Sequence, residues 1–379
     1  MTQYRTVKKK KRRLNPKLKL PLLILTVIVL VVLAFFGLDQ YERFQIREIG
    51  YSNSSIAAID KLKIRKTLIE KNEYSDTLQQ ALLSNNVYID YLDLYFIVDD
   101  SGNNLVVTED ITILYRRLID KGYSAETIHL LLSKLTFREL TPLLVFDLQA
   151  DPTIYIEDVI HNRSTNINQF ELDNSYIIHY EFTEPADLSK KELMLVNKNY
   201  YLPEDYAVEE LVMISNGCRL NEMMLEKTTA EAYETMCADM KELGMKIAST
   251  SAYRSYETQL ALYDNLVSEM GQTKADQRAA HPGFSEHQTG YAVDIASLTE
   301  PNVAFYLSPE SDWLKENAYQ YGFINRYQEG YESITGVTYE AWHYRYVGVD
   351  LAIKINESGL TFDEYYLMYL ADYKIPLTE

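Results

Sequence analysis

The sequence predicts an α+β protein: a small antiparallel sheet with flanking helices, preceded by a mostly helical domain and one transmembrane helix. Three observations lead there. Residues 20–38 form a nineteen-residue run without a single charge. From residue 40 to about 185, apolar residues recur mainly at helical spacing. From Glu192 onward, strand-like and helix-like stretches are segregated and do not alternate as β-α-β units. At 379 residues, two folded units and a tail are expected. The expected limits are a basic cytoplasmic tail at 1–19, an anchor at 20–38, a helical extracytoplasmic spacer at 39–185 and a further domain at 186–379.

The anchor follows from length and flanking charge. Leu20 to Leu38 would make a helix of about 28 Å, close to the roughly 30 Å hydrocarbon core of a bilayer. The first nineteen residues hold nine Lys/Arg and no Asp/Glu, so the amino terminus is expected in the cytoplasm and the rest outside. A cleaved signal peptide fits less well, because its apolar core is usually about 7 to 15 residues and no A-x-A-like site follows here. Beyond the tail, 28 basic residues face 55 acidic ones, a balance of −27. Nucleic acid is excluded as a partner on that ground, since phosphate contacts need clustered Lys/Arg.

Within the helical region two segments echo each other. Leu68 to Lys71 leads into Tyr74-Ser75, and Leu118 to Lys121 leads into Tyr123-Ser124. Ser75 and Ser124 are expected to cap the helices that follow, and a two-copy repeat and a chance echo both remain open. His129 and His161 lack ligand-like neighbours, and Asn162-Arg163-Ser164 fits a glycosylation sequon.

Downstream, Leu193 to Asn197 reads as a strand and Thr228 to Leu243 as a helix capped by Thr229 and stopped by Gly244. Met245 to Ser251 reads as a strand, Tyr256 to Met270 as a helix and 271–284 as a polar loop. Asp312 to Tyr321 reads as a helix, Phe323 to Arg326 and Tyr339 to Val347 as strands. A last helix opens at Thr361, with Glu364 three residues on as a capping box. Cys218 and Cys237 show no C-x-x-C spacing. Two separate buried thiols is the simpler expectation, and a disulfide is the alternative outside the cytoplasm.

Two short runs carry chemistry. Ser285-Glu286-His287-Gln288-Thr289-Gly290-Tyr291-Ala292-Val293-Asp294 places an imidazole and a carboxylate seven residues apart around a glycine hinge. Glu340-Ala341-Trp342-His343 adds a second imidazole and the carboxylate of Glu340. In a strand, Ala292 and Asp294 share a face, which leaves room beside the carboxylate. Two histidines and an aspartate are a ligand set for Zn2+ with one position left for water, and Glu340 is the nearby base. A single His/Asp pair is more often a hydrogen-bonded structural pair; the second cluster shifts that balance. Glu340 and His343 are three apart, so a straight strand would turn them to opposite faces, and a bend near Ala341 is required.

Ser285, His287, Gly290, Ala292 and Asp294 match the S-x-H-x-x-G-x-A-x-D signature of VanY-type D-alanyl-D-alanine carboxypeptidases, which the chain resembles over roughly residues 190 to 365. Glu340 and His343 match the family's E-x-x-H element, and Ser251-Ala252-Tyr253-Arg254-Ser255 is similar to its S-G-Y-R-S run. Ala252 and Ala341 depart from the usual glycine and proline without removing a functional side chain. The resemblance implies that His287, Asp294 and His343 hold zinc and that Glu340 acts as general base. It implies that Arg254 stabilises the carbonyl oxygen or clamps the substrate carboxylate. Ser285, Gln259, Tyr253 and Trp342 are the candidate substrate contacts, and His281 is not expected to be a ligand. The implied partner is a peptidoglycan stem peptide ending in D-Ala. The alternatives are an L,D-carboxypeptidase, a D,D-dipeptidase or a catalytically inactive wall-binding protein on the same scaffold. No G-x-S-x-G elbow is present, which argues against a serine hydrolase.

Overall fold

The computed structural model describes residues 16–146, 151–163, 170–173, 176, 179–299 and 301–372. The basic run at 8–13 and Ser164 of the sequon lie outside these residues. The described chain forms two compact units, 1–107 and 108–379. That division lies upstream of residue 186, where the sequence places the start of its last domain.

The first unit is helical. Its opening helix, Pro16–Ile49, is long and apolar enough to cross a membrane, and its apolar side chains from Leu23 to Leu38 are exposed. Shorter helices follow at Asn53–Leu62, Arg65–Lys71 and Asp76–Ser84. Ile46, Ile59, Leu68 and Leu78 bury fully among them, each worth about 1.5–3 kcal/mol. Ser75 accepts from the Leu78 amide and so caps its helix.

The second unit begins with helices Glu109–Asp120 and Ala125–Lys134, and Ser124 caps the latter through the Thr127 amide. The two Ser-capped turns are thus locally alike. The helix Glu109–Asp120 and the later turn Phe137–Leu140 are tied to residues 364–372 by polar contacts. Arg138 pairs with Glu364 at 2.7 Å, and Arg117 donates to the carbonyls of Met368, Ala371 and Asp372.

The centre of this unit is a four-stranded antiparallel sheet of β1 (Ile247–Ser251), β2 (Ala292–Ser297), β3 (Phe323–Tyr327) and β4 (Glu340–Tyr346), in the order β1-β2-β4-β3. The fold is therefore α+β. Alternation along the strands gives the sheet two different faces. Val293, Ile295, Phe323 and Tyr344 pack with Tyr233, Met236 and Met240 of the helix Lys227–Glu242. Ala292, Asp294, His343 and Arg345 alternate with these residues and occupy the other face.

Several local expectations are corrected. Leu193 to Asn197 is not a strand: Met194, Leu195 and Val196 bury in two apolar clusters, and Arg345 donates to the Met194 carbonyl at 3.0 Å in place of a strand neighbour. The helix expected to be capped by Thr229 starts earlier, because the Glu226 carboxylate accepts from the Thr229 amide. Residues 272–278 are helical where a loop was expected, and a helix at Val349–Ser358 precedes the one that opens at Thr361. The Thr361–Glu364 capping box is present. Cys218 and Cys237 are disulfide-bonded, against the expectation of separate thiols. The bond closes the helix Lys227–Glu242 onto the loop before it, a constraint typically worth about 2–4 kcal/mol.

Candidate metal centre

Strand pairing assembles the centre. Asp294 sits directly opposite His343 across β2 and β4, so the two side chains rise on one face. His287 arrives from a short 3-10 turn, Glu286–Thr289, that ends at Gly290. Gly290 has φ +77, and a Cβ there would meet Val208 at 3.1 Å and the Glu226 amide at 3.3 Å. Glycine is needed for both conformation and space.

One ligand atom from each of His287, Asp294 and His343 lies within 4.8 Å of the others. His287 places Nδ1 2.8 Å from the Ala252 carbonyl, which leaves Nε2 facing Asp294 Oδ2 at 3.4 Å. His343 is turned the other way: Nδ1 lies 2.8 Å from Asp294 Oδ1, and Nε2 lies 3.2 Å from Glu286 Oε2. Each imidazole thus has one nitrogen anchored outward and one aimed at a shared point. Two imidazole nitrogens and a carboxylate oxygen are the donor set of a three-ligand metal site, so the residues present fit a divalent ion.

The electrostatics match. Burial pushes the Asp294 carboxyl up, but His287 and His343 outweigh it and hold it well below the carboxylate range. Burial pushes His343 down, but its bonds to Asp294 and Glu286 win and raise it to about 10. Negative charge collects at this point, where a cation is favoured.

Glu340 sits at the rim, with Oε2 3.9 Å from His343 Nδ1, and burial raises its carboxyl. The bend that lets both residues face the site is a bulge. Tyr327 pairs with Glu340 and Asn325 with Tyr344, so two steps on β3 match four on β4. Asn325 Nδ2 donates to the Glu340 carbonyl at 3.1 Å and holds the surplus residues out. A second bulge, between Ser249 and Ser251, brings Ser251 opposite Asp294. Arg254 follows it, its guanidinium donating to Gln259 Oε1 at 2.8 Å and Ser251 Oγ at 2.9 Å.

A cavity of about 370 Å³ is lined by His287, Asp294, His343, Glu340, Arg254, Ser285, Gln259 and Trp342. Gln259 is buried, and its amide also donates to the Ala280 carbonyl at 2.7 Å, so both its polar ends are engaged. Tyr253 lies outside the lining. His281 also lies outside it, bonded to Asp276 at 2.7 Å and stacked on Tyr180. Sequence reasoning missed Glu286, Asn197 and Tyr327, which line the cavity too. Only Glu286 had a signal, its place between Ser285 and His287.

Residues 222–349 match the family VanY: D-alanyl-D-alanine carboxypeptidase. The YodJ protein of Bacillus subtilis (strain 168) is 39% identical over 213 residues, which span 54% of this chain and 78% of YodJ. The chain belongs to the VanY family. A D-alanyl-D-alanine carboxypeptidase of Enterococcus faecalis (strain ATCC 700802 / V583) is 37% identical over 191 residues, 48% of this chain and 68% of that relative. Among solved structures, the LdcB LD-carboxypeptidase shares 40% identity, covers 48% of this chain and 89% of its own, and superposes with a TM-score of 0.46. The VanY match contains His287, Asp294, Glu340, His343 and Arg254.

Proposed function

We propose that the chain is a membrane-anchored, zinc-dependent carboxypeptidase that removes the terminal D-Ala from peptidoglycan stem peptides. The observation that carries this reading is the convergence of His287, Asp294 and His343 on one point, with Glu340 and Arg254 in the same cavity. His287 would hold zinc through Nε2, His343 through Nδ1 and Asp294 through a carboxylate oxygen. Bound zinc supplies a water acidified from about 15.7 toward about 7 and positive charge against the scissile carbonyl.

The chain's own groups do the rest. Glu340 takes the water proton on a carboxylate oxygen as the water oxygen bonds to the carbonyl carbon, and its raised pKa makes it the stronger base for that step. The proton passes to the leaving amine as the C–N bond breaks, which yields a shortened stem peptide and free D-alanine. Arg254, fixed by Gln259 and Ser251, offers a guanidinium to the substrate carboxylate or to the carbonyl oxygen as charge develops there. Ser285 and Trp342 line the same cavity and would contact the substrate there. The helix Pro16–Ile49 anchors the enzyme, with the basic tail 1–19 inside, residues 39–185 as spacer and residues 186–379 as the peptidase domain outside, where the substrate is.

The test is metal analysis of the purified protein together with product analysis on defined stem peptides. One zinc per chain and D-alanine release from a pentapeptide are expected. Cleavage of tetrapeptides alone would identify an L,D-carboxypeptidase, and hydrolysis of free D-Ala-D-Ala a D,D-dipeptidase. Absence of any turnover would leave the wall-binding reading.

A further inference from the structure

A line of buried charge runs away from the metal centre behind His343, and the reaction above makes no use of it. We infer that Glu286, Arg326 and Asp363 are positioning residues for His343, so that the working unit extends beyond residues 222–349 to the helix that opens at Phe362. This rests on the zinc reading of the site.

The contacts are continuous. Glu286 Oε2 lies 3.2 Å from His343 Nε2. Glu286 Oε1 accepts from Arg326 Nε at 2.8 Å and lies 3.3 Å from Arg345 Nη1. Arg326 grips Asp363 with both terminal nitrogens, at 2.5 and 3.1 Å. Asp363 Oδ1 also accepts from Asn197 Nδ2 at 2.7 Å. The side chains of Arg326, Glu286 and Asp363 are at most 1% exposed. Asp363 is itself fixed, since it sits in the first turn of a helix that Thr361 and Glu364 cap reciprocally.

Stability alone does not explain such an array. Removing ions from water costs several kcal/mol each, and well-packed apolar residues often serve as well or better. What this array has in addition is its end point, the outward nitrogen of a ligand. For His343 to offer Nδ1 to a metal, its proton must sit on Nε2, and a carboxylate held immobile at Nε2 fixes both tautomer and ring direction. The two arginines hold Glu286 in place, and Asp363 holds Arg326.

Zinc affinity, read by chelator competition on the full chain, tests this in Glu286→Gln and Asp363→Asn. Glu286→Gln should weaken zinc binding by about 10–100-fold, with Asp363→Asn moving the same way by less. At saturating zinc, kcat should fall with KM little changed. A merely structural network would lower the unfolding midpoint and leave zinc affinity of the folded protein as it was; that result overturns the inference. Wild-type protein that binds no zinc overturns the zinc reading and the inference with it. Should either variant fail to fold, the wild type decides through the imidazole nitrogen resonances of its zinc-loaded form. His343 protonated at Nε2 and His287 at Nδ1 supports the assignment, and His343 protonated at Nδ1 ends it.

Discussion

Each compact unit holds a cluster of carboxylates and guanidiniums, and the two clusters differ in what surrounds them. In the first unit Arg65 meets Asp39, Glu42 and Asp60, and Arg43 meets Asp39 and Asp60, with side chains 15–37% exposed. In the second unit Arg326 meets Glu286 and Asp363 with side chains at most 1% exposed. The bonds are of similar length. Their consequences are not, because bulk water screens and replaces a broken contact in the first cluster and has almost no access to the second. Bond lists alone would rank them equal; solvent access separates them.

Breaking the buried cluster should have the largest effect. Arg326→Leu removes the cation shared by Glu286 and Asp363 and is expected to cost about 3–5 kcal/mol, measured by urea unfolding of the full chain. A loss under about 1 kcal/mol would erase the contrast. Glu340→Gln comes next and sharpens it from another side. That carboxylate faces the cavity, so its loss should leave stability within about 1 kcal/mol and zinc bound, while turnover falls roughly 10²–10⁴-fold. Full activity in this variant would remove Glu340 as the base. Arg65→Met should have the smallest effect, about 0–1 kcal/mol and fading as salt is raised. A loss of several kcal/mol would mean that the half-exposed cluster behaves as a buried one.

What the sequence revealed follows the same division. His287, Asp294, Glu340 and His343 stand out because their residue types and spacing state a chemistry, Arg254 stands out only through the family resemblance of its S-A-Y-R-S run, and the structure brings all five into one cavity. The face shared by Ala292 and Asp294 follows from strand periodicity alone. Arg326 and Asp363 carry no such mark. An arginine in a short strand reads as solvent-facing, and its partners are 40 and 37 residues away. The strand expected at Leu193 to Asn197 failed for a related reason: a buried arginine satisfies the Met194 carbonyl that a neighbouring strand would otherwise have used. The disulfide was undecidable because the spacing of Cys218 and Cys237 says nothing of their approach.

The two surplus residues of β4 have a consequence for how this enzyme could be simplified. Deleting Ala341 and Trp342 would let β3 and β4 pair evenly from Glu340 to Tyr346 and give a tidier sheet. It would also make Glu340 and His343 immediate neighbours, pointing to opposite sides. The irregularity is the part a designer of ideal strands would trim first, and it is the part on which the proposed reaction geometry depends.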